Sequence, residues 1–311
     1  MTLENHRLSI ENIKDSVELI DEVFLNTPQY INPGLSKLFG LNLTVKIETI
    51  NPIRCFKGRG AEVLVSKSKG YKHLVCASAG NFGQAMAFSC KKRDIKVTVH
   101  ASEFVNPFKL EMMRSLGATV ELSGKDFDTA KAKGREQATK INARFVEDTI
   151  DIETLEGAGT LGLELLKLPY ELDVLLIALG DGAMFTGISR IMKEYSPNTQ
   201  VVAIQSEGAP ALIESIRQNR YVCYDTTNTI ADGIAVRLPM KQAIKDLKHL
   251  VDDTILVKDK SIEEGMKLIN QHLGIIAEPS AAVGIAALLE NKAKYKGENV
   301  GIIICGSNTN L

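Results

Sequence analysis

Residues 46–64 read KIETINPIRCFKGRGAEVL, closing a strand that spans Val45 to Glu48, turning at Asn51-Pro52 and opening a helix near Phe56. Lys57 stands at that junction. The positive end of the helix dipole and the neighbouring Arg54 and Arg59 all disfavour a further cation, so its amine is expected to deprotonate easily. A neutral amine is what condensation with an aldehyde requires, which makes Lys57 a candidate covalent anchor. Spacing alone favours a solvated basic cluster instead. The rest of the chain reverses that preference.

On either side, short runs rich in Val, Ile and Leu recur: LTVKI (43–47), HLVCA (73–77), IKVTVHA (95–101), DVLLIAL (173–179), VVAIQ (201–205) and GIIIC (301–305). Helical-period segments lie between them. Strands apolar on both faces predict mostly parallel sheets covered by helices, with ligands gathering at the strands' carboxyl ends. Residues 10–25, capped by Ser9, read as one amphipathic scaffold helix.

Several strand ends carry small residues. CASAGNFGQAMAF (76–88) sets Ser78, Gly80 and Asn81 at the start of a helix whose apolar face takes Phe82, Ala85, Met86 and Phe88. Backbone N–H groups there can approach an anion, and the Asn81 amide can serve a phenolate or hydroxyl. Plain N-capping by Ser78 or Asn81 stays equally open. ALGDGAMFTG (178–187) sets Gly180, Gly182 and Gly187 with Thr186 before a helix. It lacks the ending of a nucleotide-binding P-loop, so a single small phosphate fits it better. GIIIC ends at Cys305, before Gly306, Ser307 and Asn308; Cys305 either faces a ligand or closes a core strand. Glu278 opens a further helix, with a plain dipole contact as its default role.

At 311 residues, 44% hydrophobic and 24% charged, the chain suits a folded protein of one large or two modest domains. A net charge of -1 argues against nucleic-acid and acidic-membrane partners. No apolar run approaches the ~20 residues that cross a bilayer, and the start MTLENHRLSI carries no secretory or transit pattern, so a cytoplasmic location is expected. Five scattered cysteines (Cys55, Cys76, Cys90, Cys223, Cys305) and dispersed histidines predict reduced thiols and no metal.

Taken in order, these segments resemble the fold-type II enzymes of pyridoxal 5'-phosphate (PLP), in particular the threonine/serine dehydratase and serine racemase group within the tryptophan synthase β-like superfamily. The likeness runs through Thr27-Pro28, the segment around Lys57, SAGNFGQA, NPFKLEMMRSLGATV (106–120), FDTAKAK (127–133), GAGTLGLE (157–164), the glycine loop, SEGAP (206–210), TIADGIAV (229–236), EPSAAVG and CGSN. It implies an α/β fold of two domains, each an open twisted mostly parallel sheet flanked by helices. Residues 1–69 and 149–311 would form the larger, PLP-binding domain and 70–148 a smaller mobile one, with a homodimer as the common assembly. Lys57 would form the Schiff base and remove the α-proton. Phe56, Asn81, Gly180, Asp181, Gly182, Ala183, Met184, Glu278 and Cys305 would surround the cofactor. Ser78, Ala79, Gly80, Asn81 and Phe82 would receive the substrate, with Ser78 close to the chemistry.

The implied reaction is α,β-elimination of water from a small β-hydroxy amino acid, giving a 2-oxo acid and ammonia. Racemases of the group carry serine where this chain has Ala79, and an alanine moves no proton, so elimination should dominate. Their cation site reads Gln205 and Ala211 here, which predicts no divalent-metal requirement. Asp181 interrupts the glycine run and is expected to point away from phosphate or to pair with a cation. The pocket segment reads Glu147-Asp148-Thr149, whose extra acid suits a polar or amino-bearing β-hydroxy amino acid better than plain threonine. A diamino-acid ammonia-lyase, a racemase, a non-catalytic PLP-binding protein and a nucleotide-binding oxidoreductase remain as alternatives.

Overall fold

In a computed structural model, described over residues 5–309, the predicted β-α alternation resolves into two sheets. The strands are β1 (Gln29–Ile31), β2 (Asn42–Ile47), β3 (His73–Ala77), β4 (Lys96–Ala101), β5 (Thr119–Leu122), β6 (Arg144–Val146), β7 (Val174–Ala178), β8 (Gln200–Ser206), β9 (Asp253–Val257) and β10 (Asn299–Ile304). One sheet runs β1-β2-β10-β7-β8-β9 and the other β5-β4-β3-β6. Every pairing is parallel except β1 on β2. Both faces of the larger sheet are covered, which is why its strands read as continuous apolar runs. A second core packs on the smaller sheet, where Phe82, Ala85 and Met86 are buried and Phe88 meets Phe24 edge-on at 5.3 Å.

The topology brings strand ends together. β10, last in sequence, lies between β2 and β7, so the segments after Ile47, Ala178 and Ile304 emerge side by side. In the smaller sheet β3 pairs with β6, and the segments after Ala77 and Val146 likewise emerge as neighbours. Such a place in an open parallel sheet is where ligands bind.

The amino-terminal helix departs from expectation. It spans Ile10–Ser16, with Ser9 capping through Asn12 N–H, and then breaks into 3-10 turns at Val17–Leu19 and Glu22–Phe24. Asp21 caps the second turn, supplying a local acceptor that competes with helical continuation. No helix among the described residues is long and apolar enough to cross a membrane.

Candidate active site

Every residue that the resemblance assigned to cofactor or substrate lines one cavity of about 460 Å³: Phe56 and Lys57 after β2, Ser78 to Phe82 after β3, Gly180 to Met184 after β7, Glu278, and Cys305 after β10; Thr186 and Gly187 of the glycine loop lie behind it. The size suits a small cofactor with a small substrate. Sequence reasoning gave no role to Lys109, Lys131, Asp232 and Arg237, which also line it. Lys109, Lys131 and Asp232 stand within NPFKLE, FDTAKAK and TIADGIAV and Arg237 directly follows the last, but nothing local said which way they face.

Lys57 opens the helix Lys57–Lys67, as the turn predicted. Its electrostatics differ from expectation. Nζ lies 2.5 Å from Asp148 Oδ2 and 4.7 Å from the Phe56 ring centre. Burial alone would push the amine down, but Asp148, helped by Asp181, outweighs it and holds Lys57 above the ordinary lysine value. The resting side chain is therefore an ammonium, not the easily deprotonated amine expected. Arg59 adds little repulsion because it turns to the far side of the helix, where Glu48 and Glu164 grip its guanidinium at 2.7–3.1 Å.

Around the ammonium the other predicted residues hold definite partners. Ser78 Oγ accepts from Gly80 and Gly83 N–H at 3.0 and 2.8 Å, capping the helix Asn81–Lys92 while keeping its own proton free to donate. Asn81 Nδ2 donates to both Glu278 oxygens at 2.9 and 3.1 Å, and its Oδ1 accepts from Asn308 Nδ2 at 2.9 Å. Glu278 is thus not a plain dipole partner. It is a buried acceptor against which a Cβ on Gly306 would stand 2.3 Å away, so glycine is required there. Burial pushes the Glu278 carboxyl up. Burial also raises the Cys305 thiol well above its ordinary value, and Glu278 adds to the effect, keeping it neutral.

The glycine loop fits a phosphate. Gly182, at φ +111°, caps the helix Ala183–Tyr195, whose first N–H groups have no acceptor within the helix. Thr149 Oγ1, Thr186 Oγ1 and Ser280 Oγ are buried without a hydrogen-bond partner, and the threonines flank Gly182. Together with the lysine amine and a thiol at the neighbouring strand end, these groups fit PLP. Asp181 lines the cavity within the fields of Lys57 and Lys131, in keeping with the cation partner that was one of its two expected roles, and burial, then Asp148, push its carboxyl up to about 6. Asp181→Asn is expected to tighten PLP binding about tenfold by removing a carboxylate beside the cradle. Titration of cofactor-free protein checks this, and equal or weaker affinity would refute it.

The remaining site expectations concern acids and metals. Glu147 pairs with Lys131 and Arg135, leaving Asp148 as the acid directed at Lys57. Gln205 Oε1 accepts from Ile213 N–H at 2.8 Å, and Ala211 starts a buried helix. Among the described residues no cluster of three or more His, Cys, Asp or Glu could hold a metal.

Residues 20–306 match the family described as pyridoxal-phosphate dependent enzyme. The chain is 30% identical to an L-threonine ammonia-lyase of Thermotoga maritima over 98% of its own length and 76% of that protein's. It is equally identical to a catabolic L-threonine dehydratase of Staphylococcus aureus, covering 98% and 90%. The serine racemase structure from Dictyostelium discoideum superposes with a TM-score of 0.88 at 30% identity, covering 98% and 99%. With the lysine, glycine cradle and thiol assembled at the strand ends of the larger sheet, the chain belongs to the pyridoxal-phosphate dependent enzymes.

Proposed function

We propose that this protein is a PLP-dependent ammonia-lyase that eliminates a β-substituent, by kinship a hydroxyl, from a small amino acid and releases a 2-oxo acid with ammonia. The observation that carries this reading is Lys57 Nζ in the shared cavity with a carboxylate at 2.5 Å. When bound, PLP supplies an aldehyde for the lysine and an electron sink for the substrate. Lys57 is the anchor and the base for the α-proton; Asp148 accepts from the ammonium that this transfer creates. Ser78 Oγ–H and the backbone at Ala79 to Phe82 receive the substrate carboxylate. Asn81, oriented by Glu278 and Asn308, meets the ring oxygen. The neutral Cys305 thiol cannot charge the ring nitrogen as a carboxylate would, which favours prompt loss of the leaving group.

Kinship with a serine racemase supports racemisation as a second reading. Ala79 counts against it, since the face opposite Lys57 lacks a hydroxyl there. We further assign residues 70–148, which contain the smaller sheet, to a mobile unit that closes on substrate. A homodimer is the expected assembly, on the resemblance alone. Incubating purified holoenzyme with a panel of β-substituted amino acids, while following 2-oxo acid release and product chirality, tests the reading. Elimination should exceed enantiomer formation by at least about tenfold. Faster racemisation would replace the reading, and bound cofactor without turnover of any amino acid would point to a non-catalytic binder.

A further inference from the structure

Asp148 is held more firmly than an incidental neighbour of a lysine. Its Oδ1 accepts from Thr149 N–H at 3.1 Å and its Oδ2 from Lys57 Nζ at 2.5 Å, so both oxygens are directed. Thr149 has φ +70°, a left-handed conformation that is strained for a β-branched residue. The surroundings impose it: Thr149 N–H also meets Thr154 Oγ1 at 3.0 Å, and Arg7 Nη2 and Nη1 hold the Thr149 and Ile150 carbonyls at 2.7 and 3.0 Å. The fold thus maintains a strained turn whose product is an aimed carboxylate.

The charges around the cavity lead the same way. Asp232 has Lys109 at 2.6 Å, Asp128 has Arg237, Glu147 has Lys131 and Arg135, and Glu278 has the Asn81 amide. Asp148 is paired directly with the Lys57 ammonium, whose field Asp181 also feels together with that of Lys131. Condensation with an aldehyde takes that ammonium away from them. A base that removes an α-proton must come within about 3 Å of it. An acceptor 2.5 Å from the base nitrogen then lies within reach of a group on the adjacent β-carbon.

We infer that Asp148 determines specificity, and that it selects a small α-amino acid carrying a second ammonium on its β-carbon over one carrying a hydroxyl. The inference rests on the elimination reading and replaces the hydroxyl suggested by kinship with an ammonium as the preferred leaving group. Lys57 takes the α-proton, the electron pair left on Cα closes the Cα=Cβ bond, and the Cβ–N bond breaks with its pair going to nitrogen. The substituent departs as neutral ammonia with the three hydrogens it already holds, so no proton donor is needed, whereas a hydroxyl must be given one. Water then hydrolyses the unsaturated amino acid to a 2-oxo acid and a second ammonia.

The test compares L-2,3-diaminopropionate, L-serine and L-threonine as substrates of wild type, Asp148→Asn and Asp148→Glu holoenzyme. A charged hydrogen bond is worth roughly tenfold to a hundredfold. The wild type should therefore favour diaminopropionate over serine in kcat/KM by at least about tenfold, mostly through KM. The preference should collapse in Asp148→Asn and return in Asp148→Glu. A binding measurement runs beside it: calorimetry of 2,4-diaminobutanoate against 2-aminobutanoate, which lack a β-leaving group, should show the same preference and its loss. Serine or threonine turned over as well as diaminopropionate by the wild type, or a preference untouched by Asp148→Asn, overturns the inference. If no substrate yields a 2-oxo acid, the elimination reading falls, and the calorimetric preference alone upholds or sinks the role of Asp148.

Discussion

Lys57→Ala protein is expected to form no borohydride-stable adduct with PLP at this site and to lose at least about four orders of magnitude in kcat. The size follows from two roles on one nitrogen. General-base transfer alone contributes roughly a hundredfold to ten-thousandfold, and the covalent route is lost with it. Absorbance of the purified protein and mass mapping after borohydride would check the adduct, and 2-oxo acid release the rate. Two other lysines line the cavity, Lys109 and Lys131, so the result is not guaranteed by composition. Lys109 is packed against the backbone of Gly80, where an added Cβ would stand 2.5 Å from its Cδ, and it is paired with Asp232. Lys131 is paired with Glu147. An adduct of wild-type intensity in Lys57→Ala, mapped to either lysine, would remove the central assignment.

The lysine's place was legible in the sequence and its charge was not. A strand, an Asn-Pro turn and a helix start are local signals, and they located Lys57 because backbone geometry at such a junction is decided within a few residues. The long Val/Ile/Leu runs gave β2, β3, β4, β7, β8 and β10 for the same reason. β5 and β6 are short, with Thr119, Val120, Arg144 and Phe145 all partly or fully accessible, so neither leaves a run to read. The partner that sets the lysine's protonation, Asp148, is 91 positions away, and Asn81 and Glu278 are 197 apart. Counting charges along the chain put Arg54 and Arg59 beside Lys57. The fold leaves Arg54 exposed and gives Arg59 two carboxylates of its own.

Those two carboxylates carry the second large prediction. Arg59 and Lys46 are buried with Glu48 and Glu164, and the motifs KIE, KGRGA and GLE that supply them hold β2, the Lys57 helix and the helix Ile152–Leu165 together. Arg59 also donates to Thr160 Oγ1 at 3.0 Å, and Lys46 meets Glu164 Oε2 at 2.5 Å and the Thr27 carbonyl at 2.9 Å. Removing one member leaves opposite charges buried and unbalanced, which typically costs about 3–5 kcal/mol. Arg59→Leu is therefore expected to lower the melting temperature by on the order of 10 °C, measured by calorimetry or circular dichroism. A milder variant fixes the electrostatic origin. Burial would raise the Glu164 carboxyl, but Arg59 and then Lys46 outweigh it and hold it at about 2 in the folded protein, below its ordinary 4.5. A carboxylate depressed on folding contributes stability above its unfolded value and loses it as the pH falls towards the folded one. That difference corresponds to about 3 kcal/mol, at roughly 1.4 kcal/mol per unit. The stability gap between wild type and Glu164→Gln should then be constant above about pH 5 and shrink steadily between pH 4.5 and 2. A gap that stays constant down to pH 3, or widens, would mean the charges contribute nothing beyond packing.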